Sequence, residues 1–205
     1  MKIISRIYWL YNQNLTVFVF YRTTVKLNKK ILKKWEKGKD EDYYNTLHSI
    51  LPNHFVLDKV IKDNIELCDL LVLDNDRVFF IHVKNGFNAT MRDLYIQVIL
   101  SAKRLSNDLK NNIGSSYLLK TLKKYNKLNR TKKIDYNNLI GKLKNKELTI
   151  NFVMAYNNGR YKGKTPLQKI DSSKSNIAKY SLVQVVKEMQ QFNFEINLYD
   201  ISELE

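Results

Sequence analysis

The sequence predicts an α/β domain in which a mixed sheet is flanked by helices, with the element order α-β-β-β-α, a basic helical insert, and then β-α-β. A small β/α extension precedes it. Three observations lead there. Apolar, β-branched runs of strand length at 65–73, 77–84 and 148–156 alternate with stretches at 91–109 and 181–191 whose apolar residues recur at helical spacing. Asp74-Asn75-Asp76 separates the first two runs, and these side chains satisfy tight turns and tolerate left-handed backbone, so the runs pair as an antiparallel hairpin. Hydrophobic residues make up 44% of the 205, with six glycines and two prolines, which is enough for a core and too little Pro and Gly for disorder.

Taken in order, Ile3–Leu10 and Leu15–Tyr21 suit strands of a hairpin across the polar Asn12-Gln13-Asn14. From Lys26 to Lys37, Leu27, Ile31, Leu32 and Trp35 lie at helical spacing among lysines, which predicts a basic amphipathic helix on the domain surface. Residues 1–39 therefore form the extension, and 40–205 the main domain. Asp40 or Asp42 caps a short helix through Tyr44, Leu47, Ile50 and Leu51, ended by Pro52. Strands follow at Phe55–Lys59, Ile65–Leu73 and Arg77–Lys84. The helix at about Met91–Leu109 aligns Leu94, Val98, Ala102 and Leu105 on one face. After the insert come a strand at Leu148–Tyr156, a helix at Ser181–Gln191 and a closing strand at Phe194–Ile201.

Charge is the strongest compositional signal. The chain holds 35 Lys+Arg against 20 Asp+Glu, a formal +15. Residues 110–146 carry eleven of the cations and one acid, Asp135, hence a net +10. A run containing Lys120, Lys123, Lys124, Lys127, Arg130, Lys132 and Lys133 can neutralise phosphates without reading sequence, which makes nucleic acid the expected partner. The alternative is a solvated lysine face produced by a Lys- and Asn-rich composition. The single cysteine, Cys68, excludes an intramolecular disulfide and a Cys-cluster zinc site, so a reducing compartment is the simpler home. No run approaches the ~18 apolar residues of a membrane helix, and the expectation is a cytoplasmic protein without a membrane partner. P-loop, GxGxxG and GxSxG patterns are missing, which disfavours nucleotide-driven motors, dinucleotide enzymes and esterase-type hydrolases.

The predicted hairpin gathers chemistry. His82 and Lys84 are two apart on a strand and share a face, and Asp69 on the neighbouring strand projects toward them if the register allows. Carboxylate oxygens can hold Mg²⁺ or Mn²⁺, the cation polarises a phosphate and acidifies a bound water, and a lysine orients that water or offsets developing charge. Singly, each residue has an ordinary reading: a buried hydrogen bond for Asp69, a core histidine for His82, a solvated strand end for Lys84. Cys68 reads as a small core hydrophobe, and His48 and His54 have no partner at ligand spacing.

The arrangement resembles the PD-(D/E)XK nuclease superfamily, with its αβββαβ restriction-endonuclease-like core. Asp69 matches the first motif position, His82-Val83-Lys84 the second with histidine in the acidic place, and Gln97, one turn before Ser101, the glutamine of the RecB-like branch. Within it, Ile65-Glu-Leu-Cys-Asp-Leu-Leu71, Ile81-His-Val-Lys84 and Leu94-Tyr-Ile-Gln-Val-Ile-Leu-Ser101 are similar to a sporadically distributed, uncharacterised bacterial and phage family with E-x-C-D-L, H-[IV]-K and glutamine-helix motifs. Tyr44-Asn45, Leu57-Asp58, Thr165-Pro-Leu167 and Phe194-Glu-Ile196 are similar to that family too, and the likeness spans roughly residues 40–201. Its members are usually longer, which implies that this chain corresponds to their C-terminal module.

The resemblance implies a metal-dependent nuclease acting on DNA in preference to RNA, in phage defence or a mobile element. Asp69, His82, Lys84 and Gln97 would be its catalytic residues. A neutral imidazole at His82 brings no charge, which weakens Mg²⁺ and favours Mn²⁺ or a softer ion. Glu41, at the start of the preceding helix where many superfamily members carry an acid, is the first candidate for a further metal ligand. Glu66 is the second, although three residues before Asp69 on a regular strand it would face the opposite side unless the strand bulges. A binding module that has lost cleavage and a protein-interaction or toxin component remain the alternatives, and a homodimer stays open.

Overall fold

A computed structural model describes residues 7–12, 15–20, 31–110, 117–129, 131–160, 163–164 and 166–202. Strands β1 (Ile7–Asn12) and β2 (Leu15–Phe20) form an antiparallel hairpin of their own, with Asn12 opposite Leu15. The main domain begins with α1 (Glu41–Thr46), whose N-cap Asp40 accepts the Tyr43 N–H at 2.8 Å. Then come β3 (His54–Val56), a two-stranded ribbon of β4 (Ile61–Lys62) and β5 (Ile65–Glu66), β6 (Leu70–Asp74) and β7 (Arg77–Lys84). Helix α2 (Met91–Lys110) leads to the insert helices α3 (Tyr117–Leu128) and α4 (Tyr136–Lys144). The chain closes with β8 (Thr149–Tyr156), α5 (Pro166–Ser172), α6 (Asn176–Met189) and β9 (Glu195–Asp200).

The main sheet runs β3-β6-β7-β8-β9, with the first three strands antiparallel and the last three parallel. The mixed α/β class is therefore the one the sequence predicts. Asp74 pairs with Arg77 across the Asn75-Asp76 turn, where Asn75 adopts the left-handed backbone (φ 50°). Alternation along β7 sends Val78 and Phe80 under α2, and Phe79, Ile81 and Val83 to the opposite core. The predicted stripe of Leu94, Val98, Ala102 and Leu105 is fully buried on α2. Phe80 stacks on Phe152 at 5.3 Å, and Phe152 also meets Phe194 at 5.6 Å. Phe152→Ala is expected to cost about 3–5 kcal/mol through lost transfer energy and an unfilled cavity. Urea denaturation reads this as a lower midpoint at unchanged slope; a loss under about 1 kcal/mol would mean that the neighbouring rings repack.

One predicted helix is not there in its described part. Residues 31–37 form an irregular segment that begins with a bend and ends in a turn, and residues 26–30 lie outside the described ones. Ile31, Leu32 and Trp35 are all buried against the second face of the sheet, and tertiary partners replace the helical ladder. The Tyr44 hydroxyl donates to the Lys33 carbonyl at 2.6 Å, the Lys33 N–H to His48 Nε2 at 3.1 Å, and the Trp35 N–H to the Ile201 carbonyl at 2.8 Å. Trp35 also stacks on Tyr44 at 5.0 Å. His48 and the buried His54, whose Nε2 bonds the Ile31 carbonyl, thus serve to dock this segment. Among the described residues, no helix is long and apolar enough to cross a membrane.

Candidate functional site

The predicted strand Ile65–Leu73 is broken, and the break builds the site. Asp63 and Asn64 both take left-handed backbone (φ 52° and 60°), giving the tight two-residue turn between β4 and β5. After Glu66 the chain leaves the ribbon, passes through Leu67 and Cys68 in the core, and bends at Asp69 before β6 starts. A regular strand would set Glu66 and Asp69 on opposite faces; the bend brings them to one side.

Asp69 is tied on three sides. Its N–H donates to the Ile81 carbonyl at 2.9 Å, and its carbonyl accepts the Leu57 and Asp58 N–H groups at 2.7 and 3.1 Å. Its carboxylate Oδ2 accepts the Val83 N–H at 2.6 Å. From α2, the buried Ser101 hydroxyl donates to the Leu67 carbonyl and so pins the bend from above. Ligand oxygens of Asp58, Glu66 and Asp69 come within 4.8 Å of one another. Burial pushes the Asp69 carboxyl well above its ordinary value, and the Glu66 charge adds to that, against the Val83 hydrogen bond. Burial also raises Glu66, opposed by the Lys59 N–H that it accepts.

Glu41 stands beside this trio on the first residue of α1. Its Oε2 meets Lys84 Nζ at 3.0 Å, and its Oε1 accepts the Asn85 N–H at 2.9 Å. Lys84 ends β7, its carbonyl accepts the Asn157 N–H at 2.9 Å, and the Asn157 side chain donates to Asn85 Oδ1 at 2.9 Å. The strand end is therefore closed by a polar, hydrogen-bonded rim.

His82 is a core residue and not a member of the trio. It is fully buried, its ring lies parallel to that of Phe152 at 6.5 Å, and neither ring nitrogen has a hydrogen-bond partner among the described residues. Burial pushes its pKa down to about 3; the Leu67 backbone pulls the other way without a hydrogen bond of acceptable geometry. Among the described residues, His82 is not one of the groups gathered within 4.8 Å. Gln97 is half-buried on α2, one turn before Ser101. Cys68 is buried, as expected of a small core hydrophobe.

In the basic insert, Lys120, Lys123, Lys124 and Lys127 are exposed on α3, Lys133 is exposed beyond it, and Arg130 lies outside the described residues. Two lysines are committed to the fold. Lys124 Nζ donates to the Ile61 carbonyl at 2.8 Å, while Lys132 Nζ donates to the carbonyls of Ser49 and Leu51 and sits over the Phe55 ring. Lys123 lies over the Tyr136 ring at 5.6 Å.

Asp58 is the site residue that pattern reading did not select. Its signal was available: an acid two residues after β3, the strand that pairs with β6, whose first residue follows Asp69. The Asn85–Asn157 bridge had no such signal, since it depends on the parallel register of β7 and β8.

Comparison with protein families matches residues 9–202 to a family of unknown function, DUF6119. The chain belongs to that family. No curated protein and no solved structure matches it. The DUF6119 match runs from β1 to the residues after β9, so it takes in the acidic trio, Glu41 and Lys84.

Proposed function

We propose that this DUF6119 protein is a metal-dependent nuclease of PD-(D/E)XK type that cleaves phosphodiester bonds in DNA. The observation that carries the reading is the meeting of Asp58, Glu66 and Asp69 within 4.8 Å, beside the Glu41–Lys84 pair at the end of β7. Leaving aside the β4–β5 ribbon and the insert helices, α1, β3, β6, β7, α2 and β8 follow one another as α-β-β-β-α-β, which supports it, as do the motifs around Asp69 and Lys84. Three hard carboxylate oxygens suit Mg²⁺ or Mn²⁺, and burial, with the neighbouring acid adding to it, raises the Asp69 and Glu66 carboxyls, a cost that a cation would offset. Such a cation supplies a polarised phosphate and a more acidic water.

The chain's own residues do the rest. Asp69 is held rigid by Val83 and by its backbone ties, so its free oxygen faces Asp58 and Glu66 without reorganisation. Lys84 offers an ammonium to a phosphate oxygen or to the attacking water. His82, stacked parallel to Phe152 in the core, would support the sheet beneath the site and leave ligation to the three carboxylates. Exposed lysines of α3 would track the phosphate backbone.

The test is cleavage of plasmid and single-stranded DNA, and of RNA, with Mg²⁺ and with Mn²⁺, by the wild type and Lys84→Ala. Cleavage with either ion that falls at least about 10²-fold in the variant is expected. Binding that weakens with salt, with no cleavage under either ion, turns the reading to a binding module on the same fold.

A further inference from the structure

Both oxygens of Glu41 are engaged, yet neither contact is with the trio that it borders. Oε2 neutralises Lys84 Nζ at 3.0 Å and Oε1 accepts the Asn85 N–H at 2.9 Å. The side chain is about one-third exposed (32%) and Lys84 about one-quarter (23%), so both can rotate away. Glu41 is within electrostatic reach of Asp69, and Lys84 within reach of Glu66. A partly exposed ion pair is a weak hold, since solvent reaches and screens it and two long side chains must be ordered to make it. A divalent cation at the trio attracts a fourth carboxylate more strongly than one ammonium does, because its charge is double and its preferred ligands are oxygens.

We propose that Lys84 and the cation compete for Glu41, so that filling the trio draws Glu41 off the lysine and releases the ammonium to meet a phosphate. The inference rests on the cation reading above and deepens it: the lysine is held paired until the metal is present. Glu41 is here a positioning residue that acts through Lys84. The coupling also orders events, with the cation first and the phosphate second.

A double-mutant cycle on Mn²⁺ affinity tests this without any cleavage assay. Free Mn²⁺ is measured by electron paramagnetic resonance for the full chain, Lys84→Met, Glu41→Gln and the double variant at neutral pH. Lys84→Met is expected to tighten Mn²⁺ about fivefold by freeing Glu41, and to have no effect once Glu41 is Gln. Equal tightening in both backgrounds means simple charge repulsion by Lys84 and overturns the competition, as does no tightening in either. Lys84→Gln repeats the cycle if circular dichroism shows that the thioether disturbs the fold. If the wild type takes up no Mn²⁺, the cation reading itself falls; uptake without coupling sinks only the competition.

Discussion

Asp69→Asn is expected to make the metal-free protein more heat-stable at neutral pH and, at the same time, to abolish divalent-cation uptake and cleavage. The native carboxyl titrates well above its ordinary value because it is buried beside Glu66. Between its ordinary and its native pKa the folded state therefore holds more protons than the unfolded state, and stability declines as pH rises through that window. At neutral pH the wild type bears that loss, which a cation bound at the trio would offset. Asparagine removes the charge and keeps an oxygen to accept the Val83 N–H, whereas alanine would orphan that donor at about 1–3 kcal/mol. Melting curves with and without Mn²⁺ read both effects. A variant less stable than the wild type in the absence of metal would reduce Asp69 to a backbone anchor.

His82→Leu is expected to stabilise the protein by about 1–3 kcal/mol, because it removes buried nitrogens with no partner among the described residues. It also changes the response to acid. His82 has its pKa pushed down to about 3 from 6.5, and His48 down to about 4, in both cases chiefly by burial. The unfolded chain thus binds these protons first, so the stability they confer is complete above about pH 6.5 and drains away as pH falls toward 3. The variant should lose the His82 share of that slope and keep the His48 share, which unfolding in urea at successive pH values measures. Cleavage should persist within about twofold, since the imidazole is not one of the ligand groups gathered at the trio. A folded His82→Leu protein that no longer takes up a cation would restore histidine to the ligand set.

Periodicity made most of the fold legible. The limits of β7, the stripe of α2 and the cap at Asp40 follow from spacing and turn chemistry, because their side chains meet local demands. What escaped was decided by distant partners. Ile31, Leu32 and Trp35 satisfy helical spacing as well as burial in an irregular strap, and only the sheet face, with Tyr44, His48 and His54, selects the strap. The site divides in the same way. Asp69 and Lys84 are marked by their strand positions, whereas Asp58 and Glu66 reach them through a bend that no alternation pattern encodes. Glu41, expected as a further metal ligand at the start of α1, is bonded here to Lys84 and the Asn85 N–H.

The acids of the trio span only residues 58–69, and the turn that folds this stretch back is the two-residue link between β4 and β5. Bringing their carboxylates together closes a short loop, at small entropic cost, before any helix of the insert has to dock. The contact between Glu41 and Lys84 bridges 43 positions and needs α1 seated at the far end of β7. The trio thus needs little beyond its own loop, β7 and α2, whereas an engaged lysine reports that α1 has also docked.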